Sequence, residues 1–89
     1  MVDEKKIIIN LKKASSLIET IIKMEEDKKY CVDVMQQNLA AIGLLKSAHQ
    51  MLLEKHLKSC FKKAMSAGSE STKDRMIEEI LKVTKLANK

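Results

Sequence analysis

CVDVMQQNLAAIGLLKSAHQMLLEKHLKSC, residues 31–60, is the longest stretch of the chain with no proline and no turn signal. Its apolar residues recur at three- and four-residue steps, the period of an α-helix rather than of a strand. The pattern extends outward to give one helix over residues 29–65. Along it Cys31, Met35, Asn38, Ile42, Leu45, His49 and Leu53 form one stripe, and Val34, Ala41, Leu44, Ala48, Leu52 and Phe61 form a second. A helix that is apolar on two sides serves as the shared centre of a bundle.

The residues with chemistry sit near the two ends of this helix: Cys31, preceded by Tyr30, and the pair His56 and Cys60. A rise of about 1.5 Å per residue puts Cys31 more than about 35 Å from His56, so one chain cannot close all three around a metal. At about 100° per residue, however, the three fall within roughly 40° of one another on a single stripe. Pairing the helix antiparallel with a second copy brings Cys31 of one chain beside His56 and Cys60 of the other. Two thiolates and one imidazole make a soft, three-coordinate set that suits Cu(I) better than Zn(II), which usually takes four ligands. The plain alternative is that both cysteines pack as small hydrophobes and His56 is a surface histidine. His49, on the same stripe, reads as a fourth ligand or an interface histidine, and Tyr30 as a group that orients a ligand or packs over the site. Gly43 lies near the midpoint, where two helices related by a twofold axis would cross closely.

Ile7, Leu11, Ala14, Ile18, Ile21 and Ile22 recur at helical steps, which predicts a first amphipathic helix over residues 4–26. A polar break follows, with Asp27 as a cap for the next helix. The Ser- and Gly-containing segment 66–71 is a loop, in which Gly68 ends the second helix and Ser71, with Asp74 three residues on, starts a third over 71–87. Met76, Ile77, Ile80, Leu81, Thr84 and Ala87 give that third helix one apolar face.

Hydrophobic residues make up 45% of the chain, yet the aromatics are only Tyr30 and Phe61, with no Trp or Pro; this is the composition of aliphatic helix packing and predicts an all-α fold. A chain of 89 residues buries too little surface to stand comfortably alone, so a partner copy is expected. The net charge of +5 favours polyanions without choosing among them, and Lys12, Lys13 and Lys23 with Lys58, Lys62 and Lys63 form either a phosphate-binding face or solvated helix surface. The N-terminus lacks the apolar core of a signal peptide and no stretch is long enough to span a bilayer, so a cytoplasmic protein with no membrane association is expected. In that compartment two cysteines read as ligands or redox-reactive thiols rather than as a structural disulfide. Glycine-rich phosphate loops, nucleophile elbows and HExxH are absent, which argues against an enzyme.

Tyr30-Cys31-Val32-Asp33-Val34, Leu52-Leu53-Glu54-Lys55-His56-Leu57 and Cys60, with Met24-Glu25-Glu26-Asp27 upstream, resemble the copper-sensitive operon repressor (CsoR) family and its formaldehyde-, nickel- and persulfide-responsive relatives. The resemblance covers nearly the whole chain. It implies a single metal-sensing repressor domain over residues 1–89, built as a three-helix protomer that forms an antiparallel four-helix-bundle dimer and then a tetramer. It implies a Cu(I) site made by Cys31, His56 and Cys60 across the dimer, with Tyr30 and Glu79 as an outer pair behind the ligands, the second placed by extra residues in the 66–72 loop. No His near the N-terminus, and Cys60 where the nickel/cobalt branch has His, separate the chain from that branch. His56 separates it from persulfide sensors, which generally lack the histidine.

One segment departs from the family. Where the family's first helix usually carries Arg-Arg-x-x-Gly-Gln, implicated in DNA binding, this chain has Lys12-Lys13-Ala14-Ser15-Ser16-Leu17. Lysine keeps the charge and loses the planar fork of arginine. The expectation is therefore a Cu(I)-responsive repressor that binds operator DNA through Lys12 and Lys13 and releases it on Cu(I) binding. Two alternatives stay open: a persulfide or redox sensor using Cys31 and Cys60, and a helical metal-binding protein of the same fold that has lost operator binding.

Overall fold

The computed structural model describes residues 4–88. In chain order the elements are α1 (Glu4–Glu26), α2 (Cys31–His56), a π-helical turn (Leu57–Phe61), α3 (Lys62–Ala67) and α4 (Glu70–Ala87), with no strand among the described residues. The all-α, three-helix expectation holds, because helical backbone runs unbroken from α2 through the π turn into α3. His56, Phe61 and Lys62, at the two junctions, all keep right-handed helical dihedrals. The long helix expected over 29–65 nonetheless differs in three ways: it begins at Cys31, five of its residues take the wider π form, and it runs on to Ala67, into the segment expected as loop. The described residues fall into two compact units that divide between Glu54 and Lys55.

The first unit is a helical hairpin. Asn10 Nδ2 donates to Ser47 Oγ at 3.0 Å, tying the start of α1 to the later part of α2, while one groove is lined by Ile21 and Ile22 together with Val34 and Met35. The two helices are therefore antiparallel. Its buried residues are Ile7 and Ala14 on α1 and Ala41 and Ala48 on α2, each pair seven residues apart. Half-buried Leu17, Ile21 and Met24, with Val34, Leu44 and Met51, extend the same seam. This is a heptad seam, and alanine at its centre lets the two backbones approach closely. The face of α2 assigned to the first helix, through Val34, Ala41, Leu44 and Ala48, is the one that packs, although Leu52 remains 43% exposed.

The apolar stripe expected on α1 splits into two. Ile7, Ala14 and Ile21 turn into the hairpin, but Leu11, Ile18 and Ile22 are exposed, because the seam repeats every seven residues and the expected stripe mixed two neighbouring rows. Along α2, Cys31, Met35, Asn38, Ile42 and Leu45 are likewise exposed. The hairpin thus carries uncovered aliphatic surface on both of its helices.

α1 ends by hydrogen bonding rather than at a glycine. Lys29 N–H donates to the Met24 carbonyl at 3.0 Å and Lys28 N–H to the Glu25 carbonyl at 3.1 Å, with Lys28 at φ 55°. This pattern is a Schellman motif, whose left-handed position is usually glycine. Asp27 lies inside that motif and does not cap α2. The first acceptor of α2 is instead the Tyr30 carbonyl, which takes the N–H groups of Asp33 and Val34 at 3.0 and 3.2 Å.

In the second unit, Gly68 N–H donates to the Ala64 carbonyl at 2.8 Å and ends α3, as expected. A Cβ there would lie 2.5 Å from the Ala64 carbonyl oxygen, so the close backbone approach needs glycine. The cap of α4 is Ser69 rather than Ser71: its Oγ accepts from Thr72 N–H at 3.3 Å. Gly68 leaves Ser69 extended immediately after the end of α3, and α4 starts at once. On α4, Met76 and Ile80 are half-buried while Ile77 and Leu81 of the expected apolar face stay exposed.

Left-handed backbone costs a residue with a Cβ roughly 1–2 kcal/mol, part of which glycine gives back as unfolded-state entropy. Lys28→Gly is therefore expected to stabilise the fold by up to about 1 kcal/mol, read as a higher denaturation midpoint at matched protein concentration; a lower midpoint would contradict the left-handed assignment.

Candidate metal centre

Cys31 is the first residue of α2, placed there by the Tyr30 carbonyl that starts the helix. Its thiol is free and exposed, and the Tyr30 side chain beside it is 68% exposed. His56 is the last residue of the same helix, which at 26 residues is about 39 Å long. Among the described residues, no three His, Cys, Asp or Glu side chains of one chain are placed to hold a metal ion.

His56 immediately precedes the π-helical turn and Cys60 lies within it. Lys62 N–H reaches back to the Leu57 carbonyl, five residues earlier, which is the hydrogen bond that widens the turn. In α geometry the step from His56 to Cys60 overshoots a full turn by about 40°; in a wider turn it falls short of one, so either way both side chains lie on one side of the backbone. The half-buried His56 ring has Phe61 as its neighbour, with ring centroids 6.4 Å apart and planes tilted by 56°. Ser59 Oγ donates to the Lys55 carbonyl at 2.6 Å and lies 3.8 Å from Cys60 Sγ. A hydroxyl has one proton, and the short bond to the carbonyl takes it. Cys60 itself is free and exposed.

This donor set fits a soft metal ion. Neither cysteine is in a disulfide, both present sulfur at the surface, and thiolate and imidazole are the ligands that Cu(I) accepts at low coordination number. Glu79 is exposed on α4, and Lys12 and Lys13 are exposed on α1. His49 is half-buried on α2. Two features of the region were not foreseen from sequence. Phe61 sits in ring contact with His56 five residues back, a spacing that an α-helical reading does not bring together, and no composition signal distinguishes Leu57–Phe61 from ordinary helix.

Comparison with known proteins gives the context. The family model described as metal-sensitive transcriptional repressor matches residues 3–86. The copper-sensing transcriptional repressor CsoR of Mycobacterium ulcerans is 35% identical over 82 residues, covering 90% of this chain and 70% of its own length. The copper-sensing transcriptional repressor RicR of Mycobacterium tuberculosis is 29% identical over 76 residues, covering 85% and 79% respectively. Among solved structures, the copper-sensing repressor CsoR with Cu(I) from Geobacillus thermodenitrificans superposes with a TM-score of 0.82 at 29% identity, over 96% of this chain and 85% of that one. A helical chain with this fold, matched from residue 3 to residue 86, belongs to the metal-sensitive transcriptional repressor family, whose members regulate transcription and are not enzymes.

Proposed function

We propose that this chain is a Cu(I)-responsive transcriptional repressor whose metal site is shared between two antiparallel copies, Cys31 of one chain lying with His56 and Cys60 of the other. The observation that carries this reading is that Cys31 opens α2 and His56 closes it, with exposed apolar Met35, Ile42 and Leu45 between them. A rigid helix of that length keeps the ligands apart in one chain. The uncovered aliphatic row offers the surface along which a second chain would bring them together. Relatives named as copper sensors, and a structural neighbour solved with Cu(I), supply the choice of metal.

In this reading residues 1–89 act as one metal-sensing domain in the cytoplasm. Two hairpins make a four-helix bundle, and two such dimers pair into a tetramer. Gly43, where an added Cβ would meet nothing within 4 Å of its own chain, lies at the helix crossing. When bound, Cu(I) supplies strong bonds to sulfur and nitrogen. Cys31 and Cys60 then hold two chains in one arrangement, with Tyr30 and Glu79 as outer groups. That arrangement binds operator DNA more weakly than the metal-free one, and by linkage DNA weakens Cu(I) binding by the same factor. Expression of copper-efflux genes follows.

A second reading rests on the two thiols being free and exposed. Cys31 and a second chain's Cys60 would lose two protons and two electrons to a peroxide, which is reduced at its O–O bond, and form a disulfide. With a polysulfide as the oxidant, reduced to sulfide, the link also takes up one or more of its sulfane sulfur atoms. Titration of Cu(I) against a competing chelator separates the readings. Cys31→Ser and Cys60→Ser are each expected to lower Cu(I) affinity by more than about a hundredfold, whereas affinity unchanged by either substitution would remove the site.

DNA binding is tested on its own. Lys12→Ala with Lys13→Ala is expected to weaken binding to the protein's own promoter region and to flatten the salt dependence by about 0.9 in log–log slope for each phosphate no longer neutralised. Wild-type protein that fails to shift this DNA at low salt would favour a metal-binding protein of the same fold without operator recognition.

A further inference from the structure

Two grooves of opposite charge flank the candidate ligands. The first, of about 530 Å³, lies between the end of α1 and the start of α2 and is lined by Ile21, Ile22, Val34 and Met35 with Glu25 and Glu26. Its lining has two acids and no base. The second, of about 580 Å³, lies along the π turn and α3 and is lined by Leu57, Phe61 and Met65 with Lys58 and Lys62. Its lining has two bases and no acid. Each lining combines aliphatic or aromatic side chains with a pair of like charges, and the two pairs are of opposite sign.

Their places in the chain relate them to the metal site. Glu25 and Glu26 precede Cys31 by six and five residues, and Met35 follows it by four; Leu57 through Met65 bracket Cys60. If Cys31 of one chain meets His56 and Cys60 of another, the acidic groove of the first chain meets the basic groove of the second. A twofold axis repeats the contact at the other end of the dimer.

We infer that the acidic groove of one protomer lies against the π-turn face of a second copy of this chain, with Glu25 and Glu26 set against Lys58 and Lys62 of that copy. The inference rests on the shared-site reading above and adds what fixes its register. The occupant is a second copy because the complementary surface is on this same chain, at the sequence position that the shared site requires. In this register Leu57 and Phe61 lie over the apolar floor of that groove, while the charge pairs close its rim. An apolar row alone permits antiparallel helices to slide by a heptad. Sliding would draw the opposite charges of the two copies apart, which opposes the shift. The charge pairs therefore hold Cys31 opposite Cys60 before any metal arrives, so that the ligand set is preorganised in the metal-free protein.

The test is charge reversal read by sedimentation equilibrium of the metal-free full chain. Glu25→Lys with Glu26→Lys, and separately Lys58→Glu with Lys62→Glu, are each expected to weaken self-association by at least about tenfold at low salt, with the effect shrinking at high salt. Mixing the two variants places opposite charges together at both ends, so heterodimers are expected to form in preference to either homodimer and to recover wild-type affinity within about threefold. A simple folding defect in either variant would not be repaired by mixing. Variants that self-associate like wild type, or a mixture that associates no better than its components, would overturn the inference. Cu(I) titration of Cys31→Ser in the unreversed chain separates the two levels. Reduced affinity there leaves the shared site standing even when charge reversal does nothing, and unchanged affinity removes the shared site and this register with it.

Discussion

The stiffness of α2 governs the rest of the molecule. Twenty-six residues of uninterrupted α-helix hold Cys31 at one end and His56 at the other, and no rotation of side chains spans a gap of about 37 Å. Few devices separate potential ligands so firmly while keeping them on one stripe. For the proposed site of Cys31, His56 and Cys60, the constraint turns a property of one helix into a requirement for a second chain.

The packing inside the hairpin leads the same way. Its buried core is Ile7 with three alanines, Ala14, Ala41 and Ala48. Such a seam brings two helices close but removes little apolar surface from water, since alanine has a single methyl to bury. Larger side chains are left outside: Leu11, Ile18 and Ile22 on α1, and Met35, Ile42 and Leu45 on α2. Full burial of a large aliphatic side chain is worth about 1.5–3 kcal/mol; these six are 39–55% exposed, so covering both rows with a second hairpin adds roughly half that value for each. The family to which the chain belongs is consistent with a fold completed by association, and the charged grooves beside the ligands would give that association its register.

Much of this was readable from residues, and the exceptions have physical causes. The three helical stretches follow from the period of their apolar positions and the lack of proline. The inward face of α2 was visible because alanines at 41 and 48 sit seven apart. The end of α1 was hidden, since its left-handed position carries Lys28 instead of the glycine that normally marks a Schellman stop. The π turn was hidden more deeply: it is defined by which carbonyl the Lys62 N–H reaches, and Leu57-Lys58-Ser59-Cys60-Phe61 has good α-helical composition. Ser69 displaced Ser71 as a cap because both can accept from the backbone and Gly68 decided where the helix began. At the candidate site, residue types and spacing single out Cys31, His56 and Cys60 as candidates, whereas the ring of Phe61 against His56 depends on the π turn and could not be read without it.

The proposed shared site makes a demand that no single-chain site would. Cys31→Ser keeps His56 and Cys60, and Cys60→Ser keeps Cys31, so a mixed assembly of the two variants rebuilds one complete ligand set from two defective chains. Chelator-competition titration of differently tagged variants, co-purified after mixing, tests this directly. Tight Cu(I) binding is predicted to return in the mixed assembly while remaining absent from each variant alone; a mixed assembly as weak as its components would contradict a site built from two protomers.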